Sequence, residues 1–135
     1  MASIRREIVI EVPPADVWTA MRDVGALHTR LARGFVKDCV LEGDMRTVEF
    51  ENGLSAKERI ITADDQARRL VWSVVGGRLS HHNASTQITP EGERQSRVVW
   101  ICDLLPNELA PAVAGMIEQG MTAMKATLEQ DRADA

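Results

Sequence analysis

Two kinds of side chain in this sequence could move protons on a small molecule: the carboxylate of Glu58 and the imidazoles of His81 and His82. Histidine titrates near neutrality, so an inward-facing one suits a general acid or base, or a polar handle on a ligand. Neighbours on a strand point to opposite faces, so the two histidines cannot share a metal ion without a bulge. No further His or Cys stands at metal-ligand spacing, so no metal site and no cofactor are expected. A two-residue hairpin at Gly76-Gly77 would turn His81 inward, and a longer loop would turn His82 inward; His82 is taken as the inward one. The competing account is a hydrogen-bonded core histidine beside Glu58. The facing of Glu58 hangs on the turn at Asn52-Gly53. A two-residue turn places Lys57, Arg59 and Ile61 on the face of Val48 and Phe50. A three-residue loop with Gly53 left-handed places Ala56, Glu58 and Ile60 there instead. A slip of one residue reverses every facing.

Trp72 and Trp100 share parity with Leu70, Val74, Val98 and Cys102. Core packing accounts for their bulk. With two phenylalanines and no tyrosine in the chain, they are also the main rings available to stack on an aromatic ligand. No Ser/His/Asp order, phosphate-binding glycine loop or dinucleotide fingerprint is present.

These side chains need elements to hold them. Ile4, Ile8, Ile10 and Val12 alternate with Arg5, Glu7 and Glu11, which predicts a half-buried strand over 4–12. Pro13-Pro14 ends it, since proline donates nothing to a ladder. A short helix is expected over 15–22 and a second over 26–32, closed by Arg33-Gly34. Six strands then follow between Phe35 and Leu104, punctuated by Asn52-Gly53, Gly76-Gly77 and Pro90-Glu91-Gly92 among others. Tight turns between successive strands predict an antiparallel meander. Leu109, Val113, Met116, Ile117, Gly120, Met121, Met124 and Leu128 make one apolar stripe, so residues 107–130 read as a helix about 36 Å long. Pro111 fits only its first turn. The economical packing lays this helix across a curved, seven-stranded α+β sheet. The two cannot meet everywhere, so a cavity is expected between them.

The chain has 135 residues, 44% hydrophobic and 27% charged, enough for one domain with a real core. We expect a single domain over 1–131 and a frayed tail over 132–135. Two cysteines exclude a disulfide scaffold. The first residues carry no signal-peptide pattern and no stretch is long enough to span a membrane, so a cytoplasmic protein without integral membrane contact is expected. Net charge is -4 and pI about 5.4, with scattered basic residues, which argues against a nucleic-acid partner. Val9, Val71, Val75, Val99 and Ile101 fall on the outer sheet face, so both a monomer and a homodimer are expected states.

The element order, with PPADVWTAMRDVGALH, GGRLSHHNASTQI and SRVVWICDLLP before the last helix, resembles the START/SRPBCC superfamily. This is the helix-grip fold shared by Bet v 1-type allergens, plant abscisic-acid receptors and polyketide cyclase/dehydrase-like bacterial proteins. Asn52-Gly53-Leu54-Ser55-Ala56 resembles the receptors' first gate loop, with Ser55 in place of its proline. Gly76-Gly77-Arg78-Leu79 resembles the second, two residues shorter and without its histidine. The resemblance places Arg33 where the receptors keep a pocket lysine, and Glu58, Trp72, His82 and Ala84 on other lining positions. Met116 and Gly120 match helix positions that face the cavity. With Val48, Phe50 and Trp100, these form the candidate ligand-binding set. Arg33, if inward, would pair with Glu58 or with an acidic ligand group.

The function expected on this basis is binding of a small hydrophobic or aromatic ligand, such as a lipid or polyketide, between sheet and helix. The alternative is an aromatase/cyclase-type enzyme that closes or dehydrates a polyketide-like chain, with Glu58 and His82 as base and acid. Glu58 and His82 within hydrogen-bond reach of each other and of the cavity would favour the enzyme. An aliphatic lining would favour a carrier.

Overall fold

A computed structural model describes residues 1–135. The elements are β1 (Ala2–Ile10), α1 (Pro14–Arg22), a π-helical turn (Leu27–Leu31), β2 (Val36–Glu42), β3 (Met45–Phe50), β4 (Ser55–Asp64), β5 (Arg69–Val75), β6 (His81–Gly92), β7 (Gln95–Leu105), a 3-10 turn (Asn107–Leu109) and α2 (Ala110–Ala133). All seven strands form one antiparallel sheet in the order β1-β7-β6-β5-β4-β3-β2. The meander runs β2 to β7, and β1 closes onto β7. This is the expected α+β helix-grip fold. No helix is long and apolar enough to cross a membrane.

Three register shifts bend the sheet. They fall between Val36 and Asp38, between Ile60 and Thr62, and between Pro90 and Gly92. An extra residue on one strand kinks it and raises its twist, so the sheet curls around the helix instead of lying flat. Pro90 lies inside β6 beside its bulge, and the turn falls at Glu93-Arg94, later than the Pro90-Glu91-Gly92 signal suggests.

The concave face carries the core. Ile10, Met21, Leu70, Leu104, Val17, Val48 and Val98 are fully buried there, each contributing about 1.5–3 kcal/mol of transfer free energy. α1 begins at Pro14, where a missing N–H costs nothing, and turns Val17, Trp18, Ala20 and Met21 into the core. The Trp18 Nε1–H donates to Asp65 Oδ1 at 2.8 Å, which fixes α1 to the β4–β5 turn. Cys39 and Cys102 are free and buried, and burial pushes the Cys102 thiol up to about 11.

Two details go beyond the expected elements. The second short helix is a five-residue π turn, closed by the Ala32 N–H on Leu27 O at 2.8 Å. The wider turn sets both Leu27 and Leu31 inward. α2 continues to Ala133, two residues into the stretch expected as a tail. Its last turns are held from outside: Arg33 Nη1 and Nη2 donate to the two carboxylate oxygens of Asp131 at 2.9 and 2.7 Å.

α2 lies close along β1 and against the π turn, while its backbone stands off from β3, β4 and β5. The gap over those strands decides where a ligand could go.

Candidate functional site

That gap is a cavity of about 420 Å³ with 30 lining residues, 21 of them hydrophobic. Its mouth lies between Leu54 and Ser55 on the β3–β4 loop, Gly76 to Leu79 on the β5–β6 loop, and the first turns of α2. Leu54, Gly76, Gly77 and Arg78 are exposed, so the cavity reaches solvent there. Gly76 and Gly77 both have positive φ, 77° and 70°, a conformation that lets the loop fold back over the opening. Asn52 Nδ2 donates to Met116 Sδ at 3.3 Å and ties the β3–β4 loop to α2.

Aromatic rings form the walls. Trp72 and Trp100 meet edge to face with centroids 5.5 Å apart, and Phe35 meets Phe50 at 5.2 Å. Trp100 and Phe35 press onto α2 at Gly120. A Cβ there would stand 3.2 Å from Phe35 and 3.3 Å from Trp100. The Trp100 Nε1–H is buried with no partner.

The polar part is compact. Gly53 is left-handed, with φ 89°, and closes a three-residue loop between Phe50 and Leu54. In this register Arg46 opposes Glu58 and Val48 opposes Ala56, which turns Glu58 inward. Arg46 Nε donates to Glu58 Oε1 at 2.8 Å, and Arg46 Nη1 donates to Val24 O at 3.2 Å. The guanidinium carbon lies 5.6 Å from the Trp72 ring centre. Arg46 is 2% exposed and Glu58 7% exposed, so this is a buried ion pair. Arg46 Nη2 and Glu58 Oε2 have no protein partner and are not sealed off.

His82 closes a break in the sheet. The β5–β6 ladder ends at Trp72 and Ala84. Beyond it the Val74 N–H donates to His82 Nδ1 at 2.9 Å, and Ser73 Oγ donates to the His82 carbonyl. An imidazole nitrogen thus replaces the missing backbone acceptor. Because Nδ1 accepts, the proton sits on Nε2. Burial, with His81 adjacent, pushes the His82 pKa down to about 4, so the ring is neutral. Nε2 has no protein partner and remains accessible on a residue that lines the cavity. His81 is exposed on the opposite face.

A family model described as polyketide cyclase/dehydrase and lipid transport matches residues 1–129. The chain belongs to that family. Curated proteins offer no match. Among solved structures, the protein XoxI from Bacillus cereus superposes with a TM-score of 0.82 at 20% identity, over 97% of this chain and 99% of that one. A START superfamily protein from Mycobacterium smegmatis gives 0.75 at 14%, over 95% and 97%. Norcoclaurine synthase from Thalictrum flavum, in complex with dopamine and hydroxybenzaldehyde, gives 0.73 at 17%, over 98% and 87%. At these identities the likeness shows the fold.

In this polyketide cyclase/dehydrase domain, eight of the ten candidate residues line the cavity: Val48, Phe50, Glu58, Trp72, His82, Trp100, Met116 and Gly120. Two do not. Arg33 is turned outward and held by Asp131, a partner 98 residues away that spacing along the chain does not reveal. Ala84 is 1% exposed, is paired across the ladder with Trp72, and lies outside the cavity lining. Arg46 was missed. It shares strand parity with Val48 and Phe50, and that parity was the available signal; charge made it read as surface. Glu58 and His82 both border Val74, one across a strand and one through a hydrogen bond, yet make no hydrogen bond to each other.

Proposed function

We propose that this domain binds one small, mostly apolar molecule carrying an aromatic ring, held between the sheet and α2. The observation that carries this reading is the cavity itself: about 420 Å³, walled by Trp72, Trp100, Phe35 and Phe50, with a few polar groups gathered at Arg46, Glu58 and His82. Size and lining match ordinary small-molecule sites. The family's description, which includes lipid transport, agrees with a carrier.

The ring-closing alternative would use the same space, with Glu58 as base and His82 as acid. Binding is favoured because Glu58 is already engaged by Arg46, and because His82 is neutral and fixed by Val74. Neither group has a proton relay to the other.

The test uses the uncharged fluorophore N-phenyl-1-naphthylamine with the purified protein, followed by probe fluorescence and by tryptophan emission. Saturable binding of one probe per chain, displaced by hydrophobic molecules and lost when Gly120→Leu fills the cavity, is expected. A folded protein that neither binds the probe nor gains thermal stability from any member of a metabolite library would overturn the reading.

A further inference from the structure

We infer that the cavity selects an uncharged ligand whose buried end carries a carbonyl-type hydrogen-bond acceptor, received by Arg46 Nη2 and His82 Nε2–H. The inference rests on the binding reading above and adds the chemical class.

The argument is one of charge and of donors. Arg46 and Glu58 cancel each other at 2.8 Å, and both are buried. His82 brings no charge, because its Nδ1 is occupied as an acceptor by the Val74 N–H. The polar floor therefore sums to zero, the one other charged lining residue, Arg78, being exposed at the mouth. A carboxylate or an ammonium placed there would be a third, unbalanced charge in a low-dielectric space, and desolvating it is unfavourable. Donors exceed acceptors at the same floor. The guanidinium offers the N–H groups of Nη2 and the imidazole offers Nε2–H, whereas Glu58 Oε2 is the one carboxylate oxygen left unpaired. A ligand that fills the cavity cuts these donors off from water, which is costly unless it pairs them, so a neutral carbonyl oxygen satisfies them where a hydrocarbon does not. Trp72, 5.6 Å from the guanidinium carbon, and Trp100, edge to face with Trp72, are the rings available to stack on the ring that bears the carbonyl.

A matched series of three naphthalenes tests this: 1-acetonaphthone, 1-naphthoate and 1-ethylnaphthalene, titrated at pH 7.5 by tryptophan quenching. The ketone is expected to bind at least tenfold tighter than either of the others. The double variant Arg46→Met/Glu58→Leu removes the pair without stranding a charge, and His82→Phe removes the second donor. In each the ketone's advantage over the hydrocarbon should fall severalfold, while ethylnaphthalene binds as well or better. Tightest binding by naphthoate, or equal binding of ketone and hydrocarbon in the parent protein, overturns this inference and leaves the cavity reading standing. Failure of all three, together with N-phenyl-1-naphthylamine, overturns both.

Discussion

A proton on His82 Nδ1 would meet the Val74 N–H head on, so the ring resists protonation. Its pKa is about 4 in the fold against an ordinary value of 6.5. The unfolded chain therefore binds the extra proton first as pH falls. Stability is unaffected by this group above pH 6.5, declines as pH drops from 6.5 towards 4, and levels off below. The loss amounts to about 3 kcal/mol at one pKa unit per 1.36 kcal/mol. Urea unfolding at a series of pH values should show it, and His82→Asn, whose side-chain oxygen still accepts from Val74, should lack it. An identical pH profile in that variant would refute the assignment. Arg46 and Glu58 make the second residue-scale prediction. Removing one partner strands a buried charge, so Glu58→Leu alone should cost about 3–5 kcal/mol. Arg46→Met/Glu58→Leu together should cost far less, and a double-variant loss equal to the sum of the singles would count against a coupled pair. Glu58 was legible only through its turn. Both loop lengths fit the Asn52-Gly53 signal, and the left-handed Gly53 chose between them.

Two glycines in α2 separate local propensity from packing. Gly115 has open space where a Cβ would stand, whereas Gly120 has Phe35 and Trp100. Gly115→Ala should stabilise the domain by up to about 1 kcal/mol, the ordinary helix preference for alanine. Gly120→Ala should gain none of that, because two rings must move by a few tenths of an ångström. Chemical denaturation of the pair decides it; equal gains at both sites would show that the rings at Gly120 yield freely. The apolar stripe made α2 readable over most of its length. Its C-terminal end was not readable, because DRADA carries no apolar period and is held by the bidentate contact from Arg33. The second short helix was legible but its π form was not: apolar spacing reports an inward face, not the width of the turn that makes it.

For the whole molecule, a ligand that binds the apolar cavity of the folded chain alone adds to its stability. A ligand at one hundred times its Kd adds about 2.7 kcal/mol to the folded state. In a domain of this length that raises the melting temperature by roughly 10 °C. Differential scanning fluorimetry with saturating 1-acetonaphthone should show a rise of this order, reduced when Gly120→Leu narrows the space. At the five outer-face positions picked out by parity, less apolar surface is exposed than the spacing suggests. Val71 is buried, Val9 and Val99 are half-buried, and only Val75 and Ile101 are well exposed. Glu7, Glu91 and Arg97 form an ion-paired cluster beside them. Light scattering at micromolar concentration is expected to give the monomer mass; a dimer mass would mark this face as an interface.

Alternation, proline punctuation and the helical stripe by themselves determined the order of elements, the antiparallel sheet and the face on which Val48, Trp72 and Trp100 lie. Each is a local property, set by backbone periods of 2 and 3.6 residues. The tertiary structure alone decided three other matters: that Arg46 is the buried cation and Arg33 the surface one, that His82 completes a broken ladder, and that α2 stands away from β3 to β5. Each depends on which distant group arrives opposite, and spacing along a single chain does not encode that arrival.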